Sequence, residues 1–307
     1  MKRKIVQQGK ATLMVSLPTK WCQTHQLQKG GEVDIQINEH TLTINSAIPT
    51  AQKRETTITI SGLIESAIRT IITNTYRTGY DRIKITTPTE QQYQVIYEVI
   101  KNQLVGFDIT KKEKDYIIIE NITEPSADHF ETLLAKVFYN IIELITLTIQ
   151  RLEGKEIFEK YEEIESRIKQ YDNFCRRVIN KQQLDRERSP LLWTFLTLLI
   201  HGQRELYLAN HYLDRTKIKA SKETIDLIKK IKQVFERIVN AYNRNDIQLL
   251  EEINDEEKKI IYRDSYRLLE KKNGKEIVVI YHIAASARNF YLASSPLIGL
   301  ILGNEKE

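Results

Sequence analysis

The sequence predicts a multidomain α+β protein, with a β-rich head, a small α/β middle segment and an all-α remainder. Three observations carry that prediction. Residues 12–17 and 32–44 alternate apolar and polar positions with period two, with a Pro-led turn and a Gly-Gly corner between them. Residues 55–124 alternate strand-like with helix-like patterns, each helix closing on a glycine. From residue 126 onward apolar residues recur at i, i+3, i+4 almost without a break.

In the head, "TLMVSL" (12–17) and "EVDIQINEHTLTI" (32–44) read as half-buried strands. Asn38-Glu39-His40 supplies the expected hairpin turn of the second stretch. Pro18 suits the first position of a short helix, because its missing N–H costs nothing there. Gly30-Gly31 supplies the positive φ needed to enter the next strand. "NSAIPTAQKRE" (45–55) is polar and Pro-containing and reads as a linker.

The middle segment reads as strand 56–61, helix 63–79, strand 81–87, helix 90–106 and a strand pair over 107–122. This order predicts a small sheet with helices on one face, serving as a spacer or dimerisation module. It contains no Gly-rich phosphate loop. In the helical remainder, Asp128-x-x-Glu131 predicts a capping box for the first helix, and Gly154 separates it from the second. Ser189-Pro190, Ala220-Ser221, Asn245-Asp246 and Asn273-Gly274 mark the next four starts. Three long helices thus recur after about ninety residues, which predicts two stacked three-helix bundles. The domain boundaries expected are 1–47, 55–124 and 126–303.

Length and composition bound the function. Three hundred and seven residues, 41% hydrophobic and 28% charged, fit a globular protein of two or three domains. Met1-Lys2-Arg3-Lys4 is basic, but no apolar stretch follows, so no signal peptide is expected. "PLLWTFLTLLI" (190–200) is too short to span a bilayer, and His282, Arg288 and Asn289 interrupt 277–302. Both read as buried helices. Cys22 and Cys175 form no pair motif, which points to a reducing, cytoplasmic setting. No nucleophile elbow, Walker loop, zinc-protease motif or dinucleotide fingerprint appears, so no enzyme is expected.

Charge is distributed unevenly. Residues 1–54 hold eight Lys and Arg against three acids, so the net charge of +5 resides there and the rest sums to zero. Taken singly, each lysine reads as solvated. Taken together, they read as a phosphate-facing surface.

The residues Val15-x-Leu17-Pro18, Trp21, Leu27, Gly30 and Val33 resemble the SpoVT/AbrB-type swapped-hairpin DNA-binding domain of transition-state regulators and MazE-like antitoxins. Many members carry Gly-Asp at the corner where this chain has Gly30-Gly31-Glu32. The resemblance implies an obligate homodimer in which each small unit completes its core with its partner's strands. It also implies duplex DNA as ligand. Lys2, Arg3, Lys4 and Lys10 would share one composite face with their counterparts, and Thr12 and Lys20 would add backbone contacts.

Residues 126–303 are similar to the PhoU domain of phosphate-uptake regulators, two three-helix repeats that commonly follow an AbrB-like head and an α/β segment in archaeal proteins. The family's metal clusters use carboxylates four residues apart, and this chain departs from that pattern. Asp172 is preceded by Ile168, while Leu206 and Asn210 stand before His211 where an acid pair is usual. Between Glu276 and Glu305 there is no acid. Glu251-x-x-x-Asp255 has the spacing but belongs to an acidic run that reads as solvated. A scaffold without metal or other cofactor is therefore expected.

Arg204, His211 and Arg288 form a weak candidate anion site, or else satisfy other buried polar groups. The function implied is a cytoplasmic DNA-binding regulator linked to phosphate homeostasis. The alternative is an adaptor that uses its head only to dimerise and docks on a phosphate-transporter ATPase or sensor kinase. Tyr262-Arg263 and Tyr266-Arg267 offer one such surface, or ordinary solvated residues.

Overall fold

A computed structural model describes residues 2–10, 12–38, 41–46, 53–86, 88–123, 127–181, 188–216 and 218–304. The chain is mixed α+β and divides into two compact units, 1–53 and 54–307. The middle segment and the helical remainder share the second unit, each with its own apolar core.

In the first unit, β1 (Ile5–Gln8) pairs antiparallel with β2 (Thr12–Val15), from Ile5↔Val15 to Gln8↔Thr12. Helix α1 (Thr19–Thr24) follows Pro18. Gly30, at φ 85°, turns the chain toward β3 (Val33–Asn38), which pairs antiparallel with β4 (Thr41–Ser46). The expected turn residues Glu39 and His40 lie outside the described residues, as does most of the linker.

The second unit opens with a four-stranded sheet in the order β5 (Glu55–Thr59), β6 (Arg82–Thr86), β8 (Tyr116–Asn121), β7 (Phe107–Lys112). The β5–β6 pair is parallel and the other two pairs are antiparallel. Helices α2 (Glu65–Arg77) and α3 (Glu90–Gln103) cover one face, burying Ile68, Ile72, Val95, Ile96 and Val99 against Ile83, Ile85, Ile117 and Ile119. Strand alternation dictates that choice, since residues i and i+2 share a face. Thr89 and Gln92 close a capping box on α3, and the Gln92 amide also donates to the carbonyls of Ile60 and Leu63. Helix α3 ends at Gln103, earlier than expected. Gly106, at φ 79°, instead turns the chain into β7, where an added Cβ would overlap the Thr123 carbonyl.

The helical remainder comprises α4 (Phe130–Leu152), α5 (Tyr161–Asn180), α6 (Ser189–Thr216), α7 (Lys222–Arg244), α8 (Gln248–Lys259), α9 (Tyr266–Lys271) and α10 (Glu276–Asn304). Six starts were expected and are found within a few residues of their markers. The first differs in detail: a 3₁₀ turn (Ala127–His129) precedes α4, so Asp128 is not its N-cap. Between α8 and α9 the chain forms a π-helical turn (Ile260–Ser265), which no sequence pattern announced.

Helices α6 and α10 run antiparallel along one another: an added Cβ at Gly202 would overlap the Phe290 ring, and one at Gly299 would lie 3.0 Å from Leu191. One continuous apolar core spans all these helices. Helix α4 is long and apolar enough to cross a membrane, but 56% of its most apolar window is buried inside the fold, as befits a core helix.

Candidate nucleic-acid interface

The first unit is two short β-ribbons and a six-residue helix, and none of its described residues is buried. Many of its apolar side chains lie in the open: Ile5 is 69% exposed, Leu13 68% and Ile37 80%. Register sorts them onto faces. Val33, Ile35, Ile37, Leu42 and Ile44 share one face of the β3–β4 ribbon. On the β1–β2 ribbon, Ile5, Leu13 and Val15 occupy one face, and Val6 and Met14 the other. An isolated two-stranded ribbon is marginal in water, and this one has apolar groups on both sides. Such surface is stable only when something covers it.

The predicted cations sit on this frame. Lys2, Arg3, Lys4, Lys10, Thr12 and Lys20 are all exposed, and the five cations form no ion pair among the described residues. Lys10 lies in the β1–β2 turn and Thr12 begins β2 opposite Gln8. The Lys2-Arg3-Lys4 arm enters β1 at the ribbon's other end, roughly 10 Å of strand away. Lys20 is on α1, where its carbonyl accepts from the Thr24 hydroxyl. One copy therefore does not gather these cations into a single cluster. Sequence reasoning named the cations and, from the alternation of Ile35, Ile37, Leu42 and Ile44, the half-buried strands.

The candidate anion set in the helices is not assembled as one pocket. The Arg204 guanidinium lies 2.5 Å from the Glu165 carboxylate and 4.4 Å from the Tyr207 ring centre. His211 stacks on that same ring and has Nδ1 3.4 Å from the Tyr161 hydroxyl, which donates to Asp214 at 2.6 Å. Burial, reinforced by Asp214, pushes the Tyr161 phenol up, so it remains a donor. Arg288 is exposed on α10, and none of these contacts reaches it.

The positions that depart from the metal pattern hold other chemistry. Asp172 is fully buried and accepts from Arg176 at 2.9 Å and Arg77 at 3.1 Å. Asn210 donates to the Thr148 hydroxyl at 2.7 Å and accepts from Arg151 at 3.1 Å. Glu251 and Asp255 are exposed. Among the described residues no three His, Cys, Asp or Glu side chains gather.

Comparison with protein-family models, with curated proteins and with solved structures gives no match for this chain.

Proposed function

We propose that this protein is a DNA-binding regulator that grips duplex DNA as a homodimer through residues 1–47. The observation that carries this reading is the coincidence, in one small unit, of a largely exposed apolar framework with five cations that form no ion pair among the described residues. A second copy would cover the apolar faces and bring both sets of cations together. The likeness of "VSLPTKW" and its neighbours to swapped-hairpin heads supports that arrangement. The helical half then relays a signal, and its likeness to the PhoU domain suggests phosphate status. The setting proposed is cytoplasmic, and the reading assigns no catalysis.

The test is a gel shift on genomic fragments at two salt concentrations. Neutralising phosphates releases condensed counterions, so affinity should fall steeply with salt. Replacing Lys2, Arg3 and Lys4 by Ala should weaken binding on every sequence and flatten the log–log salt slope by roughly 3 per chain engaged. Undiminished affinity in that variant removes the reading.

One observation favours the adaptor as second reading. Tyr262 in the π-helical turn and Tyr266 at the start of α9 are about half exposed, their rings 6.0 Å apart, on the outside of the bundle. Paired aromatics of this kind suit a protein contact. On that reading the head dimerises without binding DNA, and the gel shift shows no complex at either salt.

A further inference from the structure

The sheet of the second unit is covered by helices on one face only, and strand register lays out the other as three rows. The first is Glu55–Arg82–Glu120–Asp108, the second Thr57–Lys84–Ile118–Lys111, and the third Thr59–Thr86–Tyr116. In the first row charges cancel locally, since Arg82 lies 3.3 Å from Glu55 and 2.9 Å from Glu120. The second and third rows behave differently.

Lys84 and Lys111 flank Ile118 from neighbouring strands and converge on a single ring. The Lys84 ammonium lies 4.4 Å from the Tyr116 ring centre, and the Lys111 ammonium 5.4 Å from that centre and 2.9 Å from the Tyr116 hydroxyl. The two ammonium groups are therefore within about 10 Å of each other. Only Glu113, 3.2 Å from Lys111, answers this pair, while Lys84 makes no ion pair among the described residues. Like charges held this close repel, and an anion placed between them converts the repulsion into two attractions.

The surrounding groove is larger than an inorganic anion requires. It encloses about 470 Å³, within the range of small-molecule sites. Ile118 forms an apolar floor, the Tyr116 ring an aromatic wall, and the Thr57 hydroxyl and Glu55 carboxylate a polar rim.

We propose that this open sheet face is a binding site for a mononucleotide-like phosphate ester, its phosphate between Lys84 and Lys111 and its flat ring against Tyr116 and Ile118. Every residue named belongs to the second unit.

Isothermal titration of the full-length protein with AMP, GMP, CMP and UMP singly, and with inorganic phosphate and adenosine, tests the proposal. At least one nucleotide should bind at least tenfold more tightly than either phosphate or adenosine. Lys84→Ala combined with Lys111→Ala should weaken it tenfold or more. Tyr116→Leu should weaken the nucleotide more than it weakens phosphate, since the ring also holds the two lysines. Circular dichroism and melting of each variant separate loss of binding from loss of fold, and a single Lys84→Ala variant retains the reading should the double variant melt early. Three results overturn the proposal: no nucleotide binds at millimolar concentration, phosphate or adenosine binds as well as every nucleotide, or the lysine variants of intact fold bind undiminished.

Discussion

Arg177 on α5 and Asp81 at the entry to β6 meet at 2.5 Å, although 96 residues separate them in the chain. Arg177 is 1% exposed, and its other guanidinium nitrogen donates to the carbonyls of Tyr76 and Tyr80. Lys181 reaches Asp81 at 3.0 Å, and Arg77 of α2 answers from the other side with Asn173 and Asp172 of α5. The α/β segment is thus clamped to the helical core through buried charge.

Removing one partner of a buried pair leaves the other charged and dry, which costs about 3–5 kcal/mol. Arg177→Ala leaves Asp81 with Lys181 and the Arg54 N–H, so it should lower the second unit's unfolding free energy by less than that, about 1–3 kcal/mol, read as a lower urea midpoint. A variant that unfolds at the wild-type midpoint would show the pair to be idle. Burial works to raise the Asp81 carboxyl, yet hydrogen bonds from Lys181 and the Arg54 N–H, with the charges of Lys181 and Arg177, hold it below its ordinary value. Its contribution is present above the usual carboxylate range and is lost as pH falls through that depressed value.

Glu257 behaves in the opposite sense. It is buried on α8 beside the π-helical turn, with one weak hydrogen bond from the Ser294 hydroxyl at 3.4 Å. Burial, with the charge of Glu256 adding to it, pushes its carboxyl up to about 8. A raised carboxyl stabilises the fold while it stays protonated, so stability should decline from about pH 4.5 to about pH 8. Glu257→Gln should abolish that decline, with a gain at pH 8 on the order of 3 kcal/mol. Melting curves of both proteins at pH 6 and pH 8 check this, and parallel curves count against it.

Gln203, on α6 beside Gly202, is fully buried, and neither of its amide atoms has a hydrogen-bond partner among the described residues. An unsatisfied buried amide costs about 1–3 kcal/mol. Gln203→Leu, close in volume and without polar atoms, should raise the melting temperature. A lower one would mean that this amide is satisfied in solution.

Leu13 and Ile37 stand open on the two ribbons of the first unit. If a second copy covers them, Leu13→Lys with Ile37→Lys should convert the dimer to monomer in sedimentation equilibrium. A double variant as dimeric as the parent would rule out these faces as the contact.

Much of the architecture was legible in the sequence because punctuation and period are local properties. Gly154, Ser221 and Asn245 do end or begin helices, the last at φ 51° in the left-handed region. Strand β6 shows its buried face in every second residue. The π-helical turn escaped notice because Ile260–Ser265 reads like any amphipathic helix; it arises from a shift of hydrogen-bond register. Asp172 looked like a remnant of a metal pattern and proves to be the anchor of two arginines, one of them nearly a hundred residues away.

The sequence by itself determined the order of elements, the faces that must be buried and the concentration of positive charge in the first 54 residues, since each is written in neighbouring residues. Tertiary structure alone decided which charges are answered. It paired Arg204 with Glu165 and Arg177 with Asp81, left Glu257 dry, and drew Lys84 and Lys111 to one ring. Electrostatic energy depends on distance and burial, and neither is fixed until distant segments pack together.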